Sequence, residues 1–366
     1  MEPPKKQGKR VLTVSKKMKI HLVSPEEGAI TDPLQKFYLS MEEEPGTGDF
    51  ASHAQGPAGK DAPNSLPQDR SLPAPVVFRW RTDPAAGGSI NYRILLSGCS
   101  GSAHEQCLQN ITGNRAEVLH LHAATRYRWR VEAYCNGQKQ AESPIGAFTT
   151  NGALPRWISV PGITNVRDIG GWKLPRNKRV RQGMVYRSSE MNCHLAITEE
   201  GSRVLLDELG IKTDLDIRAE EPYPALDMNR ADWVNIPVRP YGEIFCPEQQ
   251  ESYRRIFELF AEQGRYPVLF HCWGGADRAG TLAFLLNGLL GVRLEDLAHD
   301  YELTTLSIWG PRSRQSPEFA GILEGLSEYA PSESIHIQIE KYLLSAGLNP
   351  GCIGTIREIL NKSISE

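Results

Sequence analysis

Hydrophobic and polar positions alternate with a period of two in several runs between residues 76 and 150. Val76, Phe78 and Trp80 form one such run, and residues 125–135 form another, in which apolar side chains alternate with three arginines and a glutamate. Alternation that leaves one face polar predicts antiparallel strands over a core. Clusters of Gly, Asn and Pro separate the runs, so we predict an all-β sandwich, with a first strand at residues 19–23.

Near residue 154 the pattern changes to alternating strands and helices. Short apolar runs at residues 213–218 and 268–271 predict buried strands. Helical periodicity predicts amphipathic helices, each followed by a glycine, over residues 198–209, 249–262, 277–290 and 334–346. This succession predicts an α/β domain over residues 154–366, with helices flanking a mostly parallel central sheet.

Two segments show neither pattern. Residues 1–19 carry seven Lys or Arg and one Glu, so we predict a flexible basic arm over residues 1–17; a polyanion-binding arm is the alternative. Residues 41–75 contain six Pro, four Gly and almost nothing to bury, which predicts a disordered insertion. Because a predicted strand precedes it, the insertion falls inside a sandwich domain of residues 18–150.

Composition narrows the class of protein. The chain has 366 residues, 40% hydrophobic and 23% charged, which is the balance of a soluble globular protein. A net charge of −3 gives no global argument for nucleic-acid binding. No apolar run reaches the ~18 residues of a membrane span, and the basic N-terminus lacks the apolar stretch of a signal peptide.

Cysteine and histidine spacings argue against a metal site. The seven cysteines include no CxxC pair, which disfavours a zinc ribbon or finger. Cys99 and Cys107 bracket a Gly/Ser-rich loop and could form a disulfide, but the odd total leaves at least one thiol free. His120 and His122 share one predicted strand face, which we interpret as solvent-facing rather than metal-binding. We expect no metal and no cofactor.

One stretch carries the chemistry: residues 268–281 join a buried strand, a glycine-bearing turn and a helix, with Cys272 at the end of the strand. Successive N–H groups of such a turn converge on an anion, and the helix N-terminus adds its positive dipole. An arginine fork fits two phosphate oxygens, and a thiolate beneath a bound phosphate is an in-line nucleophile. The predicted phosphate-binding residues are Trp273, Gly274, Gly275, Ala276, Asp277 and Arg278.

Residues 271–278 match the His-Cys-x5-Arg signature of the protein tyrosine phosphatase superfamily. Further motifs resemble, in order, those of the bacterial tyrosine/dual-specificity phosphatase family; they lie at residues 165–171, 185–189, 215–218, 300–304 and 353–354. This resemblance covers about residues 154–362. Upstream, a less specific resemblance to a fibronectin type III-like sandwich rests on residues 77–80, 125–131 and 148–150.

The phosphatase resemblance implies a two-step reaction without a metal. Cys272 attacks phosphorus to form a phosphocysteine that water then hydrolyses, while Arg278 and the loop amides hold the phosphoryl oxygens. A general acid must protonate the leaving oxygen. The family assigns that role to the Asp before the signature arginine, here Asp277. Glu243, in the region where other members carry a mobile acidic loop, is the alternative.

Two positions depart from the family pattern. A Ser or Thr usually follows the signature arginine and helps the thiolate to leave, but this chain has Ala279. Thr281 lies about 200° further around the helix, so it is a doubtful replacement, and we expect slow phosphoenzyme breakdown. Several members carry a Lys where this chain has Ala276, which weakens the case for phosphoinositide substrates.

The residues around the motif have plainer expected roles. We expect His271 to hold the loop by hydrogen bonds rather than to transfer a proton, and Asp168 with Arg167 to brace a turn. Asp216 and Arg218 are predicted to form a structural pair near the loop.

The main candidates also have structural alternatives. Cys272 could be an inert buried thiol, Arg278 a helix-start ion-pair partner and Asp277 a helix N-cap. The ring of Trp273 could point to the pocket mouth or pack against the domain.

The sequence therefore predicts a two-domain phosphatase acting on phosphotyrosine in protein or peptide, with dual specificity open. A phosphatase of inositol phosphates is one alternative; it needs cations beyond the signature arginine, and the candidates are Arg239, Arg312 and Arg314. A catalytically weak phosphate-binding or adhesive module is the other, motivated by Ala279. The sandwich would bind a partner or a glycan, on fold-level analogy. A sandwich on a bacterial enzyme favours the envelope or exterior, and the missing leader favours the cytoplasm.

Overall fold

The computed structural model describes residues 17–36, 38, 69–83, 90–98 and 106–364. Two compact units divide the chain. The first comprises Met1–Thr31, Val76–Val118 and Arg126–Thr149, and the second comprises Asp32–Pro75, Leu119–Thr125 and Thr150–Glu366. Residues 1–16 of the predicted basic arm and residues 41–68 of the predicted insertion lie outside the described residues, so both remain predictions.

The described part of the first unit is rich in β-structure. Its strands are β1 (Lys19–Ser24), β2 (Ala29–Thr31), β3 (Val76–Asp83), β4 (Asn91–Gly98), β5 (Gln106–Thr112), β6 (Arg115–Val118), β7 (Arg126–Cys135), β8 (Gln138–Glu142) and β9 (Gly146–Thr150). One sheet has the order β1-β3-β6, and the other has the order β2-β9-β7-β4-β5 with β8 paired to β7. Both sheets contain antiparallel pairs, as the alternating pattern predicts.

The apolar residues of the alternating runs form the core of this unit. Phe78, Trp129 and Phe148 are almost fully buried, and the rings of Phe78 and Trp129 meet edge-on with centroids 4.8 Å apart. The alternation breaks at Glu132, which is only 6% exposed. Its carboxylate remains buried because Lys139 Nζ donates to it at 2.7 Å, a partner that a buried charge requires.

The second unit has a six-stranded central sheet and a small three-stranded one. Their strands are β10 (Arg156–Trp157), β11 (Arg167–Asp168), β12 (Lys173–Leu174), β13 (Lys178–Val180), β14 (Val185–Ser188), β15 (Thr213–Asp216), β16 (Asp232–Asn235), β17 (Val268–His271) and β18 (Asn361–Ser363). The central order is β10-β11-β14-β17-β15-β16, and its last four strands are parallel. The predicted strand at residues 268–271 is confirmed as β17, inside the sheet between β14 and β15.

Helices flank this sheet. They are α1 (Glu199–Arg203, continued by a π-helical turn over Val204–Glu208), α2 (Pro247–Phe260), α3 (Asp277–Leu290), α4 (Leu294–Glu302), α5 (Pro317–Ser327), α6 (Ile335–Ser345) and α7 (Pro350–Leu360). All four predicted helices are present as α1, α2, α3 and α6, with end shifts of a few residues. Helices α4, α5 and α7 lie where we predict none.

Helix α3 differs from the prediction because it is not amphipathic. Every residue from Ala279 to Leu290 is buried. The helix packs against β14 and against α4, α6 and α7, so it has no solvent face over this length. A helix that is covered all round needs apolar residues all round. Only its first two residues, Asp277 and Arg278, escape this burial, and they lie just after the carboxyl end of β17.

Two segments before residue 150 belong to the second unit, Asp32–Pro75 and Leu119–Thr125. A small apolar cluster there buries Leu34, Tyr38, Trp157, Leu303 and Leu306. Leu34 pairs with Pro73 across an antiparallel bridge, and the Arg70 N–H donates to the Leu306 carbonyl at 2.8 Å. Residues 69–75 of the predicted disordered insertion are therefore described, and they are tied into this unit.

The interpretation of His120 as a solvent-facing strand residue is wrong. His120 and His122 lie in the connection Leu119–Thr125, outside the strands, and His120 is only 5% exposed. His120 Nδ1 lies 2.6 Å from Glu208 Oε1, and the Ser159 N–H donates to His120 Nε2 at 2.9 Å. Both ring nitrogens are thus used inside the second unit.

Two further sequence predictions concern the cysteine thiols and membrane-spanning segments. Cys107 is an exposed free thiol, whereas Cys99 lies outside the described residues. In the part of the chain that the structure describes, no helix is long and apolar enough to cross a membrane.

Candidate active site

The candidate nucleophile lies at the carboxyl end of the central sheet. Cys272 follows β17 directly and is only 2% exposed. The neighbouring parallel strands end beside it, with Ser188 of β14 and Asp216 of β15 both in register with His271. In open α/β sheets, this edge is where ligands bind. Residues 272–278, here called the signature loop, connect Cys272 to the start of α3.

The carbonyl groups of the signature loop are held by the surrounding scaffold. The Glu190 N–H donates to the Trp273 carbonyl at 2.9 Å. Asn165 Nδ2 donates to the carbonyls of residues 274 and 275 at 3.1 and 3.2 Å. Arg187 Nη2 donates to those of residues 275 and 276 at 2.6 and 3.2 Å. Four successive carbonyls are therefore committed to groups outside the loop.

The amide groups of the same loop have the opposite status. Among the described residues, no acceptor is hydrogen-bonded to the backbone N–H groups of residues 273–279. Some of these groups belong to the first turn of α3, whose N-cap position, Ala276, offers no side-chain cap. Free N–H groups at a helix N-terminus attract an anion. The loop thus presents donors at the point where Cys272 ends its strand.

Gly275 allows this loop conformation. Its φ is +64°, a region that favours glycine. A Cβ at this position would lie 2.5 Å from the backbone carbon and oxygen of Ser188. A glycine is therefore required at this position of the turn, because the backbone of residue 275 lies directly against the backbone of Ser188.

A buried ionic network holds Asn165 and Arg187, the two side chains that donate to the carbonyls of the signature loop. Asp300 of α4 accepts hydrogen bonds from Arg187 Nη1 at 2.7 Å and from Arg167 Nε at 3.0 Å. Arg167 Nη1 also donates to Asn165 Oδ1 at 2.5 Å. Both arginines are fully buried. Three chain segments are therefore locked together behind the signature loop.

Charge and burial shift the pKa values in this network. Burial lowers the pKa of Arg187 to about 10, and the Arg167 charge acts in the same direction, whereas Asp300 and Cys272 oppose it. Burial alone would raise the pKa of Asp300, but the charges of Arg167 and Arg187 lower it below its ordinary value. The carboxylate of Asp300 is thus stabilised by two cations that it neutralises only in part.

Arg278 is half-buried and ion-paired. Its Nη1 lies 2.7 Å from Oε2 of Glu220, an exposed carboxylate on the segment after β15. Burial alone would lower the pKa of Arg278, but Glu220 and Cys272 raise it above its ordinary value. The ion pair considered as the plainer alternative is therefore present, and its partner is exposed enough for an anionic ligand to replace it.

Asp277 does not cap the helix. Arg312 Nε and Nη2 donate to its two carboxylate oxygens at 2.9 and 3.0 Å, and Tyr241 Oη donates to Oδ1 as well. Glu243, the alternative acid, lies on the 3-10 turn Tyr241–Phe245, where it is exposed and paired with Arg239 at 3.0 Å. The two candidate acids thus differ: one is part of the loop–helix junction, and the other forms a surface ion pair.

Residues 307–312, here called the tryptophan loop, line the signature loop. A Cβ at Gly274 would lie 2.8 Å from the Trp309 ring, so the indole packs directly on this glycine. Trp309 Nε1 donates to Thr164 Oγ1 at 2.9 Å. The Arg312 N–H donates to Thr305 Oγ1 at 2.9 Å, which closes the tryptophan loop at its other end.

The predicted supporting residues divide into two groups. Asp216 and Arg218 form the expected pair, with Arg218 Nη2 2.8 Å from Asp216 Oδ2. His271 Nε2 lies 3.0 Å from Asp214 Oδ1, but among the described residues neither ring nitrogen of His271 has a hydrogen-bond partner, so the hydrogen bonds expected of His271 are not seen. Burial would lower the pKa of His271, but Asp214 and Asp216 raise it above its ordinary value. These groups lie directly beneath the strand ends that carry the signature loop.

Asp168 belongs to a different cluster. Arg156 Nη1 donates to its carboxylate at 2.8 Å, and the N–H groups of Gly170 and Gly183 donate to it at 2.8 and 2.7 Å. The side chain therefore braces a turn, whereas its neighbour Arg167 reaches the network behind the signature loop.

Two further side chains have defined places. The Trp273 ring is partly exposed and meets the His194 ring edge-on with centroids 4.4 Å apart. Thr281 Oγ1 accepts a hydrogen bond from the Tyr241 N–H at 3.1 Å. The Thr281 hydroxyl is thus engaged with the backbone of another element, which disfavours it as a replacement for the hydroxyl that Ala279 lacks.

The sequence prediction missed several contributors. Asn165, Arg187 and Asp300 lie in motifs that carry the family resemblance, but the sequence patterns assign no role to any of them. Arg312 is predicted only as a cation for a polyphosphate, and no role is predicted for Tyr241. The available signal was that charged residues inside apolar strand and helix patterns must find buried partners.

A metal has no evident place in this part of the molecule. Among the described residues, no group of three or more His, Cys, Asp or Glu side chains could hold a metal ion. The arrangement instead provides a buried thiol, an arginine and unpaired amide donors, which suit an oxyanion.

Comparisons with known proteins concern the same part of the chain. Residues 158–324 match the model of the tyrosine phosphatase family. A provisionally named tyrosine-protein phosphatase of Cupriavidus necator is 33% identical in an alignment of 166 positions that covers 38% of this chain and 59% of the relative. A tyrosine-protein phosphatase of Nostoc commune is 29% identical in an alignment of 129 positions that covers 29% of this chain and 44% of the relative. The chain thus spans about half the length of these curated relatives.

A solved structure gives a weaker likeness. The crystal structure of TpbA of P. aeruginosa is 19% identical, with a TM-score of 0.26, and covers 42% of this chain and 96% of that one. This TM-score is too low to support any argument. The sequence matches alone therefore indicate that the stretch containing the signature loop is similar to the tyrosine phosphatase family.

Proposed function

We propose that this protein hydrolyses phosphomonoesters, with phosphotyrosine in protein or peptide as the substrate class, through a phosphocysteine on Cys272. One observation carries the proposal: the scaffold binds the carbonyls of residues 273–276 and leaves the N–H groups of the same loop unpaired around Cys272. This arrangement suits a phosphoryl group, whose oxygens accept hydrogen bonds. The match of residues 158–324 to the tyrosine phosphatase family supports the same reading.

The proposed reaction has two steps. The thiolate of Cys272 forms a bond to phosphorus, and the bond between phosphorus and the leaving oxygen breaks. Water then forms a bond to phosphorus, and the S–P bond breaks with its electron pair returning to sulfur. Arg278, released from Glu220, and the loop N–H groups hold the phosphoryl oxygens through both steps.

Asp277 is the group that we propose for proton transfer. It directly precedes Arg278 at the start of α3, and its side chain is 41% exposed. Glu243 is less suited, because it is paired with Arg239 at the surface. A leaving phenolate needs less help from an acid than an alkoxide, since its conjugate acid has a pKa of about 10. Hydrolysis of phosphoserine, whose leaving group is an alkoxide, would therefore depend more strongly on proton donation by Asp277 than hydrolysis of phosphotyrosine.

The contacts of the other arginines weigh against a polyphosphate substrate. Arg239 pairs with Glu243, Arg312 with Asp277, and Arg314 with Glu302 at 2.6 Å. An inositol polyphosphate would have to displace a carboxylate from each of these cations in turn. We therefore retain the phosphotyrosine reading over the inositol phosphate alternative.

We propose that the first unit is a fibronectin type III-like sandwich. Its proposed role is not catalytic and consists in binding a partner or a glycan. Its two sheets, its antiparallel pairs and its alternating core support this reading. The binding role rests on fold-level analogy.

The test is hydrolysis of p-nitrophenyl phosphate in EDTA and reductant by the intact chain and by Cys272→Ser. We expect turnover that the substitution reduces by at least about 10⁴-fold, because a serine hydroxyl in this loop is a far weaker nucleophile than a thiolate. Cys352→Ser is the matched control: this partly buried thiol packs against the core, and its loss should leave turnover within about twofold.

The same assay decides between the readings. Turnover that survives Cys272→Ser, or that EDTA abolishes, would contradict a thiol mechanism. Tight binding of vanadate without any turnover would favour the phosphate-binding module. Parallel assays with phosphotyrosine and phosphoserine peptides of the same sequence measure dual specificity directly.

A further inference from the structure

The carboxyl group of Asp277 is held by donors that lie outside the signature loop. Three donor groups converge on its two oxygens: Arg312 Nε, Arg312 Nη2 and Tyr241 Oη. The two Arg312 nitrogens can only donate, so a protonated carboxyl group would lose one of these contacts, whereas the Tyr241 hydroxyl can donate or accept. The bidentate arginine contact is also the strongest hydrogen-bonded arrangement for an ionised carboxylate.

All three side-chain nitrogens of Arg312 donate hydrogen bonds, and two of them donate to Asp277. Its remaining group, Nη1, donates to the carbonyls of Pro311 and Trp309 in the tryptophan loop at 3.0 and 3.3 Å. Its side chain is 19% exposed, against 41% for Asp277. The guanidinium is therefore fixed by its own loop before it meets the carboxylate, which makes the contact directional.

The tryptophan loop is itself fixed on the site. Trp309 packs on Gly274 and donates to Thr164, and Thr305 closes the other end of the loop through Arg312. Tyr241 Oη also lies 3.1 Å from Tyr301 Oη, so the second donor is held as well. The direction of the Asp277 carboxylate is thus set by two elements outside the signature loop.

We propose that Arg312 is a positioning residue for the second step of the reaction, in which Asp277 removes a proton from the water that attacks the phosphocysteine. The inference rests on the function proposed above and deepens it. This arrangement assists hydrolysis of the phosphocysteine, the step for which Ala279 supplies no hydroxyl group.

The step balances without any added reactant. The Asp277 carboxylate takes one proton from water as the water oxygen bonds to phosphorus. The S–P bond breaks, and its electron pair leaves on Cys272 as the thiolate. The products are a hydrogen phosphate dianion, the thiolate and protonated Asp277, which returns its proton to solvent.

The experiment measures the two chemical steps separately in Arg312→Gln and in the wild-type chain. Formation of the phosphoenzyme is followed by the first-turnover release of p-nitrophenolate. Its decay is followed by acid quench and intact mass after a chase with excess vanadate. We expect the decay constant of Arg312→Gln to fall about tenfold, because positioned base catalysis contributes roughly 10²–10⁴-fold in all. The formation constant should stay within about threefold, because p-nitrophenolate is a weak base that leaves with little help from the acid.

Arg314→Gln is the matched control. Arg314 lies two residues further on and makes a comparable bidentate contact, but to Glu302 and not to the signature loop. Arg312→Lys keeps the charge without the fork and should decay at an intermediate rate. In Asp277→Asn, adding Arg312→Gln should change the decay constant less than twofold, since Arg312 acts through Asp277.

Three results would overturn the inference: an unchanged decay constant, an equal fall in both constants, or full additivity with Asp277→Asn. An equal fall would mean that the substitution merely loosens the tryptophan loop. These outcomes are separable from failure of the proposed function, because they require a phosphoenzyme that forms in the wild-type chain and not in Cys272→Ser.

Discussion

At the scale of single residues, Gly275 shows how closely the signature loop is fitted to the sheet. Its φ of +64° alone would cost a substituted residue about 1–2 kcal/mol. The larger cost is steric, because a Cβ would lie 2.5 Å from the backbone carbonyl of Ser188, which cannot rotate away as a side chain could. The loop must therefore shift as a whole to admit any side chain.

Gly275→Ala is expected to lower kcat/KM for p-nitrophenyl phosphate about 100-fold or more. The shift moves several amide donors off the phosphoryl oxygens, and loss of a single oxyanion donor already costs roughly 10²–10³ in rate. Steady-state kinetics with purified protein measure the effect, and circular dichroism checks that the chain is folded.

Gly291→Ala controls for backbone strain at the other end of the same helix. Gly291 has a φ of +102°, but the nearest atom to a Cβ there, Pro175 Cδ, is 3.8 Å away. This variant should lose some stability and keep kcat/KM within about threefold. If the two variants lost activity equally, strain and not loop displacement would be the cause.

The residues of the site could be predicted from the sequence only where spacing alone defines them. Cys272, Arg278 and the glycines lie within one short stretch, so their proximity follows from the strand–turn–helix pattern. Asn165 and Asp300 are 135 residues apart and meet only through Arg167. No local pattern indicates which buried charge pairs with which, because the partner is chosen by the fold.

At the scale of elements, the network around Asp300 joins helix α4 to strands β11 and β14. Asp300 pairs with Arg167 on β11 and with Arg187 on β14, and all three side chains are buried. Removing one partner of a buried ion pair is expensive because it leaves the other charge uncompensated. Arg187 also donates to two signature-loop carbonyls, and Arg167 holds Asn165, which donates to two of them.

Asp300→Asn should therefore lower the free energy of unfolding by about 3–5 kcal/mol at pH 7. The pKa of Asp300 is lowered in the folded chain, so its contribution is complete above the unfolded-state value of about 3.9 and is lost as pH falls through the folded-state value. The difference between wild type and variant should accordingly shrink as pH falls below about 4. Urea unfolding at a series of pH values measures it.

Asp296→Asn on the same helix is the control. Asp296 pairs with Arg293, an exposed side chain one turn away, and such surface pairs contribute about 0–1 kcal/mol. A loss at Asp300 no larger than the loss at Asp296 would mean that the network does not hold the elements together.

The elements themselves were predictable where their periodicity was long or strict. Strand β17 and helix α3 have the predicted bounds. A short apolar run defines the strand, and Gly291 marks the end of the helix. Helices α4, α5 and α7 are only 9 to 11 residues long and, unlike the equally short α6, none of them is closely followed by a glycine that marks its end. The strands β10 and β11 have two residues each, which leaves no period to detect.

At the scale of the whole molecule, the second unit is not one continuous stretch of chain. It includes Asp32–Pro75 and Leu119–Thr125 as well as everything from Thr150 onward. The sequence predicts a boundary near residue 150, because the β pattern ends there and gives no sign that earlier residues pack elsewhere. Leu34, Tyr38 and His120 are among the buried residues that such a boundary would cut away.

A chain that begins at Asn151 is therefore expected to be less stable than the second unit of the full chain. It loses Leu34 and Tyr38 from the cluster with Leu306, and it leaves the Ser159 N–H without its acceptor on His120. Losses of about 2–5 kcal/mol for each large buried side chain correspond to a fall of roughly 10 °C or more. The measurement is the temperature at which half of the p-nitrophenyl phosphate activity is lost in ten minutes, since only the second unit carries the signature loop.

Leu34→Ala in the full chain separates packing from truncation. It removes one member of the cluster, which is 3% exposed, and should lower the inactivation temperature by about 5–15 °C. Leu294→Ala, at an apolar residue that is 38% exposed, should change it by less than about 2 °C. If the chain from Asn151 matched the full chain, or if both leucine variants behaved alike, the segments before residue 150 would be dispensable to the second unit. The predicted order of inactivation temperatures is instead full chain, Leu34→Ala, then the truncated chain, because each step removes more of one packed cluster that includes Leu306.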